Sequence, residues 1–240
     1  MTTKTSSQDK VFTLLSVLVT APGALTAREL AELTGLPLSS TYRYLAVLGR
    51  WSLVQERQSG KYAPGPMAVQ LAAGFEHQNS VLTWARPLLA ELAERSGESA
   101  ALMMVSGNRA LCVEMIDSSQ ALRCCYQKGY SQPLRYGASA RALLAFMDQS
   151  LREQVLAELP LAERTRMIRS LAQVRELGYA VSQDEIDQGV WGVSAPVLGS
   201  RDHLLGAISL MAPADRVAGN QNQWIRWTCD AAARLGAISY

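Results

Sequence analysis

Four neighbouring residues, Ser39, Ser40, Tyr42 and Arg43, gather hydroxyl and guanidinium groups in one short stretch of the chain. Hydroxyls donate and accept hydrogen bonds, and an arginine fork fits a guanine edge or clamps a phosphate. A bidentate base contact gives about 1–3 kcal/mol of discrimination against the wrong base. The plain alternative for Arg43 is a surface pairing with a neighbouring acid. Two more cations, Arg57 and Lys61, flank Gln58-Ser59-Gly60, a turn with glycine where a positive φ costs little. They could reach phosphates or a minor groove, or stand as solvated charges. A third group, Gly137-Ala138-Ser139, precedes an apolar helix and offers backbone N–H groups at a positive helix end, suited to a carboxylate unless Ser139 itself satisfies them. Arg123, Tyr126 and Arg135 lie near it in sequence, and Leu122, Trp191 and Met211 offer apolar walls. Together these suggest a small organic acid, aromatic or other, as ligand.

These groups need elements to position them. Thr26 with Glu29 reads as a capping box, and Ala27, Leu30, Ala31 and Leu33 supply the apolar positions of a helix that ends at Thr34-Gly35-Leu36-Pro37. Ser39 or Ser40 can cap the next helix, whose later turns carry Leu45, Val47 and Leu48. Its polar reach therefore sits at its N-terminal end, as in a recognition helix in a major groove. Tyr42 and Tyr44 project about 200° apart, so one of them belongs to a core or an interface. SLVQERQSGKY then gives two short strands around the turn. The sum is a winged helix-turn-helix, preceded by a helix with Val11, Leu14, Leu15 and Leu18 behind a Ser6/Asp9 capping box. After Pro64-Gly65-Pro66, residues 67–80 resume helical spacing with Met67, Leu71, Ala72 and Phe75, a linker helix whose partner is either its own chain or a second copy.

From residue 81 the pattern is mixed. A helix closed by Gly97 is followed by expected strands at 99–105, 110–117 and 121–127, then by helices after Tyr136, over 150–158 and over 163–177, the last closed by Gly178. Strands at 190–198 and 204–213 and a helix at 217–236 complete an α+β body. If 121–127 is a strand and Leu122 and Cys124 face a pocket, Arg123 does not. Vicinal Cys124 and Cys125 would point to opposite faces, so core cysteines are expected rather than a redox pair. Asp184, Glu185 and Asp187 read as a solvated turn or helix start.

At 240 residues and 48% hydrophobic content the chain is large enough for two cores. The net charge of +2 conceals an asymmetry: residues 1–65 carry seven Lys/Arg against four acids, and the rest carries 16 against 17. A small basic module on a neutral body suits a chain of which one domain meets a polyanion. No apolar run approaches the roughly 18 residues of a membrane span. The four cysteines form no CxxC and the two histidines are far apart, so no metal site is expected, nor any cofactor, and a cytoplasmic home is the simplest reading. Hydrolase, zinc-protease, P-loop and dinucleotide motifs are missing from the sequence.

Three segments in register resemble the IclR family of bacterial transcriptional regulators: ELAELTGLPLSSTYRYLAVLGRWSLV with YAPGP, YGASARALLAF, and GYAVSQDEIDQGVWGVSAPVLGSRDHLLGAISLMAP. The resemblance implies a winged helix-turn-helix over 1–64, a linker helix over 65–80 and a GAF-like antiparallel-sheet effector and oligomerisation domain over 81–240. It implies a homodimer or homotetramer on a palindromic operator in double-stranded DNA, controlled by a small-molecule effector. Ser39, Ser40, Tyr42 and Arg43 match its recognition-helix pattern, with Arg28 on the preceding helix. Effector positions fall on Leu122, Cys124 or Cys125, Ala138, Ser139, Val190 and Ser209. Leu38 stands where a polar or basic residue is common, Ser52 where glycine is usual, and Gly192 where cysteine is frequent. The rival expectation is a small-molecule-processing enzyme with an appended DNA-binding module.

Overall fold

The first helix, α1 (Ser7–Thr20), begins where the Ser6 hydroxyl accepts from the Asp9 amide and the Asp9 carboxylate accepts from the Ser6 amide. In this computed structural model residues 6–124 and 126–238 are described. They divide at Gln78/Asn79 into two compact units. In the first unit a two-residue strand, β1 (Leu25–Thr26), leads into α2 (Ala27–Thr34), which the Thr26/Glu29 box opens and left-handed Gly35 closes at φ 68°. Helix α3 (Leu38–Arg50), strands β2 (Val54–Arg57) and β3 (Lys61–Pro64) and helix α4 (Met67–Gln78) follow. The strands lie in the order β1-β3-β2, so the hairpin gains a third strand that the sequence pattern does not signal. Leu14, Leu18, Leu30, Leu45, Leu48 and Val54 form the core of this unit. Val69, Leu71 and Phe75 of α4 are exposed.

Helix α3 does not start as expected. Pro37 is its N-cap, at φ −59° and ψ 139°, and no side chain caps it; Ser39 and Ser40 lie inside the first turn. A proline at the entry suits this position because its fixed φ leads into the helix and its missing N–H is not needed there.

The second unit opens with α5 (Ser80–Ser96), closed by Gly97 at φ 72°. A six-stranded antiparallel sheet follows: β4 (Ser99–Ser106), β5 (Arg109–Ile116), β6 (Ser131–Pro133), β7 (Ala180–Gln183), β8 (Val190–Leu198) and β9 (Leu204–Pro213), ordered β6-β5-β4-β9-β8-β7. Between β6 and β7 run α6 (Gly137–Phe146), α7 (Gln149–Ala157) and α8 (Leu161–Leu177), and α9 (Gln221–Ile238) ends the fold. This is an α+β architecture. On one face of the sheet Leu102, Trp191, Val193, Ile208 and Leu210 pack with α5 and α9. On the other Ala101, Met103, Cys112, Ala207 and Met211 pack with α6 and α8.

The strand expected at 121–127 does not form: none of the described residues there pairs. The chain turns back only at Gly129, whose amide donates to the Cys112 carbonyl at 2.8 Å, while the Cys112 amide donates to Tyr130 at 2.8 Å. The edge of β5 is thus taken by Tyr130 and β6, and the alternation argument for Leu122, Arg123 and Cys124 lapses with the strand. Cys125, and with it the vicinal pair, lies outside the described residues.

Candidate functional site

The first turns of α3 expose Ser39, Tyr42 and Arg43, with Ser40 half-buried. Thr41 and Tyr44 turn inward; the Tyr44 ring is buried and its hydroxyl lies 3.3 Å from that of Ser7. Tyr44 is therefore the core tyrosine and Tyr42 the exposed one. Arg43 sits with its guanidinium carbon 5.2 Å from the Tyr44 ring centroid. Arg57 and Lys61 are register partners at the base of the hairpin tip, where Ser59 and Gly60 both take left-handed φ, 66° and 69°. Arg28 is exposed on the first turn of α2. Among the described residues none of Arg28, Arg43, Arg57 and Lys61 stands in an ion pair, so their charge is available to a polyanion.

In the second unit a cavity lies between the sheet and the N-terminal end of α6. Its polar floor is a ring of three hydroxyls. Ser194 and Ser209 are register partners on β8 and β9 with Oγ atoms 2.6 Å apart, and Ser139 of α6 lies 3.1 and 3.0 Å from them. Met103, Met211, Val190 and Cys112 provide apolar walls, and Tyr126, Tyr130 and Gln132 face them. Burial, with the Glu114 carboxylate adding to it, pushes the Cys112 thiol up to about 12. Burial and the hydrogen bond to Asp187 raise the Tyr126 phenol.

Of the expected effector residues, Ala138, Ser139, Val190 and Met211 line this cavity, and Ser209 lies behind the lining, hydrogen-bonded to Ser139 and Ser194. Trp191 does not. It is buried on the opposite face, its ring centroid 5.9 Å from that of Trp224, because side chains alternate along β8. Leu122 is exposed, and with Arg123 and Cys124 it borders a separate hollow. Arg135 is also remote, paired with Glu163 at 2.6 Å. The N–H groups of α6 are occupied by groups distant in sequence: Gly137 donates to Glu185 and Ala138 to Ser182, each at 3.0 Å. Ser182, Glu185 and Ser194 thus belong to the site although no sequence spacing singles them out.

Comparison with known proteins decides the family. The description "IclR helix-turn-helix domain" matches residues 7–58, and "Bacterial transcriptional regulator IclR C-terminal" matches residues 75–239. The chain belongs to the IclR family. It is 26% identical over 218 residues to the HTH-type transcriptional regulator KipR of Bacillus subtilis, covering 88% of this chain and 87% of that protein. An IclR transcriptional regulator from Alicyclobacillus acidocaldarius superposes with a TM-score of 0.81 at 26% identity, covering 98% of each chain. The C-terminal domain of a Vibrio cholerae regulator is 41% identical, with a TM-score of 0.61 over 67% of this chain and 99% of that one. The protein is therefore an IclR-type DNA-binding transcriptional regulator with an effector-binding C-terminal domain, not an enzyme.

Two positions at which the resemblance implied a departure, Ser52 and Gly192, acquire structure. Ser52, before the wing, holds φ at 54°, a conformation glycine adopts without a Cβ penalty. Gly192 lines the cavity, where a Cβ would sit 3.6 Å from the Ser182 hydroxyl, so a side chain there would narrow the ligand space. No described helix is long and apolar enough to cross a membrane.

Proposed function

We propose that this regulator binds a palindromic operator as a homodimer or homotetramer, reading each half-site with Ser39, Ser40, Tyr42 and Arg43 of α3 and holding the backbone with Arg28, Arg57 and Lys61. The observation that carries this is the set of ion-pair-free cations and of hydroxyls presented by α2, α3 and the wing of a family-matched helix-turn-helix. Half-sites about one DNA turn apart would place two such helices in successive major grooves. A cytoplasmic location follows from the role. The effector is a small organic molecule with an oxygen function on the Ser139/Ser194/Ser209 ring and an apolar body, aromatic included, between Met103, Met211 and Tyr126. Its binding shifts the placement of the paired recognition helices only in so far as it prefers one arrangement.

The test is fluorescence anisotropy on DNA from upstream of its own gene, titrated with salt, with Arg43→Ala alongside. Specific binding should weaken linearly in log salt and fall about 5- to 150-fold in the variant, the range of one lost bidentate contact. An indifferent variant would remove Arg43 from the interface.

A further inference from the structure

The loop between β7 and β8 reaches across the cavity from α6 to Tyr126, and its tip is held by its own side chains and by one backbone bond, from the Val190 amide to the Asp187 carbonyl at 3.2 Å. On one side the Glu185 carboxylate accepts from the Gly137 amide at 3.0 Å and from Arg141 Nη1 at 2.6 and 2.9 Å. On the other the Tyr126 hydroxyl donates to Asp187 at 2.6 Å. Ile186, between them, places its Cδ1 over Gly137, where a Cβ would come within 2.5 Å. Tyr126, Glu185 and Ile186 all line the cavity. All six residues from 184 to 189 are exposed.

The neck of the loop is built differently. The Asp184 amide donates to the Val190 carbonyl at 3.0 Å, the Gly189 amide to Asp184 Oδ1 at 2.6 Å, and the Gly189 carbonyl accepts from the Ala214 amide at 2.8 Å. Asp184 and Gly189 take left-handed φ, 57° and 78°. Four residues, 185–188, therefore project from a neck anchored to the sheet, and their release breaks no strand pairing. Arg141 also donates to the Val181 carbonyl on β7, so it stays in place when Glu185 leaves.

We propose that residues 185–188 are a strap over the cavity, closed by the Glu185–Arg141/Gly137 and Asp187–Tyr126 clasps, which must open for a ligand to enter or leave. The proposal takes the cavity to be the effector site, as above, but its opening is measured without effector or DNA, so the two readings fail separately.

Cys112 is the reporter, since its thiol is buried in the cavity lining, while Cys229 on α9, half-buried on the other side of the sheet, serves as reference. The full-length protein is treated with iodoacetamide and the modification rate at each cysteine is followed by peptide mass spectrometry. Loss of clasps made by charged groups should raise the Cys112 rate relative to Cys229 by about tenfold in Tyr126→Phe/Glu185→Gln, with the single variants between. An unchanged ratio in that double variant would overturn the strap. Should the double variant lose its fold, so that both cysteines react at the rate of a free thiol, Asp187→Asn decides by the same ratio: a rise supports the strap, and wild-type behaviour overturns it.

Discussion

The hydroxyl ring under the cavity makes a quantitative prediction about how the helix α6 is held to the sheet. Ser194 and Ser209 are each 1% exposed, and the three bonds of the ring span 2.6 to 3.1 Å. Each serine takes part in two of the three bonds. With about 1 kcal/mol net per neutral hydrogen bond, Ser194→Ala and Ser209→Ala should each cost about 2 kcal/mol. The double variant loses all three bonds, with the Ser194–Ser209 bond counted once, so it should cost about 3 kcal/mol rather than the additive 4. The remaining Ser139 hydroxyl faces the cavity and can turn to water. Urea unfolding followed by tryptophan fluorescence suits the measurement, because Trp191 and Trp224 are buried together on the far side of the same sheet. A coupling of about 1 kcal/mol between the two sites supports the ring; additivity to within about 0.3 kcal/mol would refute it and make the hydroxyls independent.

Trp191→Ala should destabilise the second unit by about 3–5 kcal/mol in the same assay, the cost of emptying a buried aromatic site, since the ring fills the core under α9 rather than the cavity. Stability should also respond to alkaline pH through Cys112. Its thiol is raised from an ordinary 9.0 to about 12, so the unfolded chain loses this proton first. The contribution is fully present below about pH 9 and is lost as pH rises toward 12, with a slope approaching about 1.4 kcal/mol per pH unit at most. The difference in urea midpoint between wild type and Cys112→Ser should therefore change across that window and be constant below it; a difference flat from pH 7 to 11 would contradict the burial of the thiol.

Much of the first unit was legible because its determinants are local. The Ser6/Asp9 and Thr26/Glu29 boxes act within one helical turn, Gly35 and Gly60 meet a backbone need at their own positions, and the apolar spacing of Leu14, Leu18, Leu45 and Leu48 selects the buried face. The start of α3 departs from the expected cap for a local reason too: Ser39 and Ser40 have capping chemistry, but Pro37 already provides an entry geometry. In the second unit the long strands β4, β5, β8 and β9 show in their apolar runs, whereas three-residue β6 and four-residue β7 are too short to announce a period. Segment 121–127 carries strand-forming residues and its described residues still do not pair, because a neighbour across the sheet edge decides that.

The candidate site divides along the same line. By itself the sequence determined that a basic module with Ser39, Ser40, Tyr42 and Arg43 on one helix precedes an α+β body, and that a helix follows Tyr136, although Gly137, Ala138 and Ser139 form its first turn rather than a loop before it. Only the tertiary structure decided that Trp191 looks away from the cavity while Val190 looks into it, that Ser194 and Ser209 meet Ser139, and that Glu185 and Ser182 take the amides of Gly137 and Ala138. Those partners lie 44 to 70 residues apart along the chain. Local propensity constrains a residue's own dihedrals and the turn around it; which distant hydroxyl or carboxylate then meets a free donor depends on the order and register of strands, which the packing of the whole sheet selects.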